Sequence, residues 1–229
     1  MKISVVIPVY NEEKYLPACL KSLFDQVEKP KEVIIVDNNS TDQTVALAKK
    51  FPVKIVTEKK QGITWARNRG FNEAQGDIIA RCDADCLLPK DWIKRIADQF
   101  SQKNIDGLTG PVKFYDLPLQ SKLISEIYLK NLYWLQGRKN ILIGPNMAIS
   151  QKIWQKIKDE VCTNDQEVHE DIDLAIHINK NHGKIFVDDQ LVVLISARRI
   201  IHKPQSFFLE YPFRFLKTYL KHYPLPFGD

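Results

Sequence analysis

The chain has 229 residues, 44% of them hydrophobic and 27% charged, ordinary values for a globular protein with a sizeable core. Its net charge of +5 suits an anionic ligand or a membrane surface, and the lack of a long Lys/Arg run argues against nucleic acid. No stretch of about 18 uncharged apolar residues occurs, and the apolar run between Met1 and Pro8 is too short for a signal peptide, so neither a spanning helix nor a cleaved leader is expected. Cys19, Cys82, Cys86 and Cys162 lack the spacing of a zinc site and read as reduced thiols of a cytosolic protein.

Ile3-Ser4-Val5-Val6-Ile7 is an uninterrupted β-branched run, which predicts a buried parallel strand stopped by Pro8. Asn11 is the expected cap of a helix with Glu12 and Glu13 in its first turn and Leu16, Leu20, Leu23 and Val27 on one face. A second strand, Val33 to Val36, ends at Asp37, and Ser40 or Thr41 caps a helix through about Lys50. Val53 to Val56 is a third strand, Ile63 to Ala74 a helix, and Gly76-Asp77 turns the chain into a fourth strand, Ile78 to Ala80. Asp91 to Phe100 is helical, Gly107 to Tyr115 reads as one strand, and Leu119 to Leu135 as a long amphipathic helix. Gly144-Pro145-Asn146 turns into the strand Met147 to Ile149. His169 to Asn181 is a helix with Leu174 and Ile178 inward, followed by short strands over Lys184 to Val187 and Leu191 to Ile195. The four tryptophans, Trp65, Trp92, Trp134 and Trp154, read as core, with a place lining a cleft left open to Trp134.

Strand-helix alternation predicts parallel βαβ units. Three strand ends then carry polar residues to one edge of the sheet: Tyr10-Asn11-Glu12, Asp37-Asn38-Asn39-Ser40 and Asp83-Ala84-Asp85. That edge is where open α/β sheets bind ligands. Asp-x-Asp at a strand tip suits a hard divalent cation that bridges carboxylate to phosphate. Alone the triplet arises by chance roughly once in a few hundred residues; its weight comes from its neighbours. No Gly-x-Gly-x-x-Gly and no P-loop is present, which argues against a dehydrogenase or an NTPase.

The ordered set Pro8-Val9-Tyr10-Asn11-Glu12, Val36-Asp37-Asn38-Asn39-Ser40-Thr41-Asp42, Ala66-Arg67-Asn68-Arg69-Gly70, Gly76-Asp77 and Asp83-Ala84-Asp85 resembles family-2 glycosyltransferases, from Lys2 to about Ile201. The resemblance implies an α/β GT-A fold: a mostly parallel, Rossmann-like sheet flanked by helices. It implies a catalytic domain over 1–205, with a nucleotide-sugar half of about 1–115 and an acceptor half of about 116–205, and a tail over 206–229. By the same resemblance Pro8, Tyr10 and Glu12 border the nucleobase, and Asp37 accepts from base or ribose. Arg67 lies on the base and phosphate side. Asp83 and Ala84 face the ribose, and Asp85 ligates Mg²⁺ or Mn²⁺, with Asp83 on the metal-bound water and His202 as a further ligand. Gly144, Pro145 and Asn146 approach the donor sugar and acceptor, and Arg198 and Arg199 hold phosphate. Asp171 is the expected base, kept basic by burial or nearby negative charge, with Glu170 as the second candidate. The bland readings are that Asp37 caps a helix, Arg67 and Arg69 line an exposed face, Glu170 and Asp171 only favour a helix dipole, and His202 is a surface histidine.

The expected activity is an inverting, metal-dependent transfer of one sugar from a nucleoside-diphosphate sugar, UDP-linked, to a glycan or lipid-linked acceptor in cell-surface glycan or glycolipid synthesis. The Gln-x-x-Arg-Trp motif of processive members has no counterpart after Asp171, since Gln136-Gly137-Arg138 precedes it and lacks the Trp. Alternatives are a non-catalytic nucleotide-sugar-binding relative and a nucleotidyltransferase. The second expects a Gly-rich loop where Pro8-Val9-Tyr10-Asn11-Glu12 stands. The tail interleaves Phe207, Phe208, Tyr211, Phe213, Phe215, Tyr219 and Tyr223 with Arg214, Lys217, Lys221 and His222. It either packs on the domain or meets a membrane through 207–227, making the protein cytoplasmic or peripheral at the inner face.

Overall fold

A computed structural model describes residues 1–116, 141–165, 167–198, 201 and 211–223. The helix expected from Leu119 to Leu135, Trp134, Gln136-Gly137-Arg138, Arg199, His202 and the first part of the tail lie outside these residues. The described elements are β1 (Ile3–Val9), α1 (Leu16–Phe24), β2 (Glu32–Asp37), α2 (Thr44–Ala48), β3 (Lys54–Thr57), α3 (Ile63–Glu73), β4 (Ile78–Arg81), α4 (Trp92–Gln102), β5 (Gly107–Thr109) and β6 (Val112–Phe114). A 3₁₀ turn (Gly144–Asn146) then leads to β7 (Met147–Ser150), α5 (Gln151–Ile157), α6 (Glu170–Lys180), β8 (Ile185–Val187), β9 (Val193–Ile195) and α7 (Tyr211–His222).

Seven strands form one sheet in the order β3-β2-β1-β4-β7-β5-β8, and β6 pairs β9 in a second. β1, β2, β3 and β4 run parallel, while β7 is antiparallel to both β4 and β5. The strand order reverses between β1 and its neighbours, so the ends of β1, β2 and β4 open on one crevice. Alternate β1 side chains serve two cores. Val5, Ile7 and Val9 pack with Leu16, Leu20, Trp92 and Ile96 on one face; Val6 packs with Ile34, Phe71 and Trp154 on the other. A strand covered on both faces is apolar at nearly every position, which is why β1 and β2 read as near-continuous runs. Buried Ser4 is the exception, its hydroxyl donating to Glu32 Oε1 and accepting from Gly76 N. Gly70 lets α3 lie directly on the sheet: a Cβ there would stand 2.3 Å from Val6 Cγ1 and 2.8 Å from Val36 Cγ2.

The boundaries that differ from expectation have local causes. Pro8 lies inside β1, not after it. Asn11 is left-handed, at φ 54, and its Oδ1 accepts from Thr41 N at 2.8 Å. It therefore joins two loops instead of capping α1, which starts at Leu16 and leaves Val27 exposed. Asp42, not Ser40 or Thr41, satisfies the start of α2 by accepting from Thr44 N at 2.9 Å. The single strand expected over Gly107 to Tyr115 is two, in different sheets. Between them Gly110 passes under Leu191 O, which a Cβ would approach to 2.1 Å, and Pro111 has no N–H for a ladder. Helix α5 had no counterpart in the sequence reading, although Ser150 Oγ caps it from Ile153 N at 3.1 Å.

α7 lies across α6. Phe215 and Tyr223 pack on Ile141, Ile172 and Ile176, and Thr218 Oγ1 accepts from His169 N at 2.6 Å. This described part of the tail packs on the domain, with Phe213, Leu216 and Leu220 exposed. No described helix is long and apolar enough to cross a membrane.

Candidate active site

The first two tips are fastened to each other. Asn11 N donates to Ser40 Oγ at 3.1 Å, and Glu12 N to Thr44 Oγ1 at 2.7 Å. Asp37 is nearly buried, and its Oδ1 accepts from Ser40 N at 3.1 Å. Asn38 ties this loop to the next: its Nδ2 donates to Glu58 O and Lys60 O at 2.8 Å each, and its Oδ1 accepts from Gly62 N at 2.8 Å. Tyr10 is half exposed beside this frame.

At the third tip Asp85 accepts from Arg198 Nε at 2.9 Å. Arg198 also donates to Glu12 Oε1 and stacks on the Tyr15 ring at 4.3 Å. Its loop is set by Asp116, which accepts from Ser196 Oγ at 2.6 Å and Ala197 N at 2.7 Å. Two carboxylates from different strand ends thus converge on one cation across the crevice. Glu12 Oε2 is buried and meets no donor among the described residues. An all-oxygen set of this charge fits Mg²⁺ or Mn²⁺.

Beneath the rim runs a buried ion cluster. Arg81, at the end of β4, donates to Asp83 Oδ1 at 3.0 Å and to Glu170 Oε1. Arg67, fully buried on α3, donates to Glu170 Oε2 at 3.0 Å, to Glu170 O at 2.8 Å and to Asn68 Oδ1 at 2.8 Å. Burial opposes charge on both guanidiniums. It leaves Arg67 below its ordinary pKa, whereas Glu170 and Asp83 together hold Arg81 above its own. Gly144 lies against the Arg81 guanidinium, where a Cβ would meet Nη2 at 3.2 Å.

Gly144 N donates to Asp171 Oδ2 at 3.0 Å, Ile172 N donates to Asp171 Oδ1 at 2.9 Å, and His169 Nδ1 pairs with the same Oδ1. Burial alone would raise the Asp171 pKa; the His169 charge, its hydrogen bond and the Gly144 amide overcome this and bring it down to about 2. Burial works against the His169 charge, and Asp171 outweighs it, so the imidazole sits above its ordinary pKa.

The family model of Glycosyl transferase family 2 matches residues 4–163. The chain belongs to this family. Glycosyltransferase AglE of Haloferax volcanii is 33% identical over 120 residues, covering 49% of this chain and 40% of that protein. The mannosyltransferase PcManGT from Pyrobaculum calidifontis, solved in complex with GDP-Man and Mn²⁺, superposes with a TM-score of 0.75 at 18% identity, covering 96% of this chain and 63% of that one. Glucosyl-3-phosphoglycerate synthase from Mycobacterium tuberculosis, solved with Mn²⁺, UDP and phosphoglyceric acid, gives 0.72 at 18% identity, covering 96% and 78%. At these identities the structures establish the GT-A fold, which the sheet order and helical layers bear out. The chain spans less than half the length of the first curated relatives it matches.

Within this family 2 frame the candidate residues divide. Tyr10, Glu12, Asp37, Asp83, Asp85 and Arg198 gather at the crevice, with Gly144 and Asp171 adjoining through Arg81. Pro8 and Ala84 lie in the protein interior behind them. Arg67 has no exposed surface to offer a base or phosphate, because Glu170 holds it below the site. Glu170 is correspondingly no free base: each carboxylate oxygen faces a guanidinium. Asn146 is fully buried, accepting from Trp92 Nε1 at 3.0 Å and donating to Leu191 O at 2.6 Å and Pro111 O at 3.2 Å, which makes it a brace of the turn and not an acceptor contact. The surroundings of Asp171 lower its pKa, where the sequence reading required them to raise it. Arg81, His169 and Asp116 were not anticipated. Only Arg81 carried a signal, a cation two residues ahead of an acid at a strand end. Trp92 and Trp154 are core, and Cys82 and Cys86 are buried thiols.

Proposed function

We propose that this chain transfers a single sugar from a nucleoside-diphosphate sugar, UDP-linked, to an acceptor hydroxyl with inversion at the anomeric carbon. The observation that carries the reading is the convergence of Asp85 and Glu12 on one cationic group at the C-terminal ends of β4 and β1. A site that gathers carboxylates about positive charge at this edge is suited to a diphosphate held through a cation. Tyr10 and Asp37 would border the base and ribose, and Asp83, steadied by Arg81, would face the ribose side. Asp85, with Glu12 beside it, would hold Mg²⁺ or Mn²⁺, which when bound supplies counter-charge to the leaving diphosphate. Arg198 spans the same carboxylates. It must turn aside or shift onto the phosphates as donor enters, which an arginine on the loop set by Asp116 can do.

The acceptor oxygen attacks the anomeric carbon, the bond to the diphosphate oxygen breaks with its electron pair, and the hydroxyl proton passes to Asp171. The Gly144 amide orients that carboxylate, while Glu170 positions α6 by clamping Arg67 and Arg81. The acceptor is a glycan or lipid-linked hydroxyl in cell-surface glycan synthesis. The exposed face of Phe213, Leu216 and Leu220 gives α7 a surface for peripheral membrane contact. Co-sedimentation with anionic liposomes, with and without residues after Gln205, tests that contact; equal partitioning would rule it out.

The function is tested by incubating the chain with UDP-, GDP- and dTDP-sugars in Mn²⁺ or Mg²⁺ and following nucleotide release and the product's anomeric configuration. Release from one nucleotide class, metal-dependent and lost in Asp85→Asn, is expected. No release from any donor by a folded chain would favour the non-catalytic reading.

A further inference from the structure

Away from the crevice, where α7 crosses the middle of α6, three metal-ligating side chains meet. Asp173 is fully buried, and its Oδ1 accepts from His222 Nε2 at 2.7 Å. His177, one turn further along α6, directs its Nε2 at the same Oδ1 from 3.7 Å, beyond hydrogen-bond reach. The His177 and His222 rings stand edge to face with centroids 4.8 Å apart. One ligand atom from each of the three residues lies within 4.8 Å of the others. Both imidazoles are nearly withdrawn from solvent.

We propose that Asp173, His177 and His222 form a second metal site, of the zinc class, that fastens α7 to α6. Zinc bonds of about 2.0–2.1 Å in tetrahedral geometry separate ligand atoms by roughly 3.3–3.5 Å. The observed 2.7 and 3.7 Å spacings bracket that value. Small side-chain shifts, opening the His222 contact and drawing in His177, would seat the ion. Two imidazoles with one carboxylate make a nitrogen-rich set that suits zinc and its neighbours, whereas the oxygen set at Asp85 suits Mg²⁺ or Mn²⁺. The two sites would therefore sort different ions.

The outer contacts fit this assignment. His177 Nδ1 faces Glu160 Oε2 at 3.3 Å, the carboxylate-histidine arrangement that leaves the other ring nitrogen for a metal. Glu160 is itself held by Asn181 Nδ2 at 2.9 Å. Asp173 Oδ2 accepts from Cys162 N at 2.9 Å, leaving Oδ1 as the inward oxygen. Lys180 Nζ lies 3.1 Å from His222 Nδ1 and 3.4 Å from His222 O. Once a metal takes His222 Nε2, Nδ1 carries the proton and Lys180 donates to the carbonyl alone. Seated there, the ion would join α7 to the helix whose first turn carries Glu170 and Asp171.

The test uses the full chain stripped with chelator and equilibrated with Zn²⁺ alone, with bound metal counted after dialysis. One Zn²⁺ per chain is expected for wild type and for Asp85→Asn, and its loss in His222→Gln and His177→Arg. The arginine can pair with Asp173 and Glu160, and His222 keeps its own bond from α7 to Asp173, so the packing is retained without a metal. Glu160→Gln is expected to weaken uptake by about 10- to 100-fold. Zn²⁺ should raise the thermal midpoint of wild type and leave that of His177→Arg unmoved. Wild type that retains no Zn²⁺, or histidine variants that retain as much as wild type, would overturn the proposal.

Discussion

At the crevice rim, Asp85 and Glu12 meet Arg198 from a neighbouring loop, and Asp83 reaches down to Arg81. One layer beneath, Arg67, Arg81 and Glu170 have almost no surface and satisfy mainly one another. Both regions are made of Asp, Glu and Arg, and both occupy positions that a motif reading assigns to ligand binding. The carboxylates Asp85 and Glu170 are equally buried; it is the cation that separates the regions, a fifth exposed at Arg198 and almost without surface at Arg67 and Arg81. A rim carboxylate bonded to a partly exposed cation can exchange it for a ligand at modest cost. A buried guanidinium cannot release its partner without stranding charge in a medium that solvates it poorly. The rim is therefore suited to chemistry and the floor to holding α3, β4 and α6 in register.

The largest expected effect comes from breaking the floor. Glu170→Ala leaves two buried guanidiniums facing each other and should cost about 3–5 kcal/mol of stability, measured by denaturant unfolding. A variant that unfolds at the wild-type midpoint yet has lost turnover would move Glu170 from the floor to the chemistry and collapse the distinction.

Asp85→Asn should do the reverse. Asparagine can still accept from Arg198 Nε, so unfolding should shift by less than in Glu170→Ala. Transfer should fall by roughly 10²–10³-fold, the usual effect of removing one group that stabilises transition-state charge. Comparable losses of stability in the two variants would show that rim and floor are one unit.

Between the layers lies the Asp171–His169 pair. His169 holds its proton above its ordinary pKa of about 6.5, and while it does so the imidazolium neutralises Asp171 and weakens it as a base. The pair's contribution to stability is complete between the ordinary carboxylate pKa and that pH. It is lost as pH rises through the raised His169 value and also as pH falls through the lowered Asp171 value. Turnover should move the other way, rising as His169 deprotonates, with an apparent pKa that belongs to the pair. His169→Gln should remove this rising limb from the kcat profile. A limb that survives the substitution would assign it to another group.

The rim was legible because its residues follow β-branched runs whose direction is set by parallel pairing. Once β1, β2 and β4 are parallel, Tyr10, Asp37 and Asp85 must share an edge. The floor was not legible, because Arg67 and Glu170 are 103 residues apart, and a helical arginine has the same local pattern whether exposed or buried. Asn146 misled for a related reason: a turn beside the crevice reads as a contact, while its side chain braces Trp92 and Leu191 from within. Asp173 and His177 have a visible one-turn spacing, but their partner His222 comes from a helix whose place only tertiary packing decides. The split of β5 from β6 was written in Gly110-Pro111, a pair that ends ladders.

The smallest expected effect lies at the far end of the sheet and shows what a site-free perturbation does. Ser150 pairs with Ile78, at the start of β4 and away from the tips. Its hydroxyl caps α5 from Ile153 N. Ser150→Ala should cost about 1 kcal/mol, and Ser150→Gly only a few tenths, since glycine leaves the cap position open to water. Turnover under conditions where both variants are folded should match wild type. If Ser150→Ala instead lowers turnover in proportion to its stability loss, the crevice is tuned by the whole sheet, and the separation of a chemical rim from a structural floor would have to give way to a graded one.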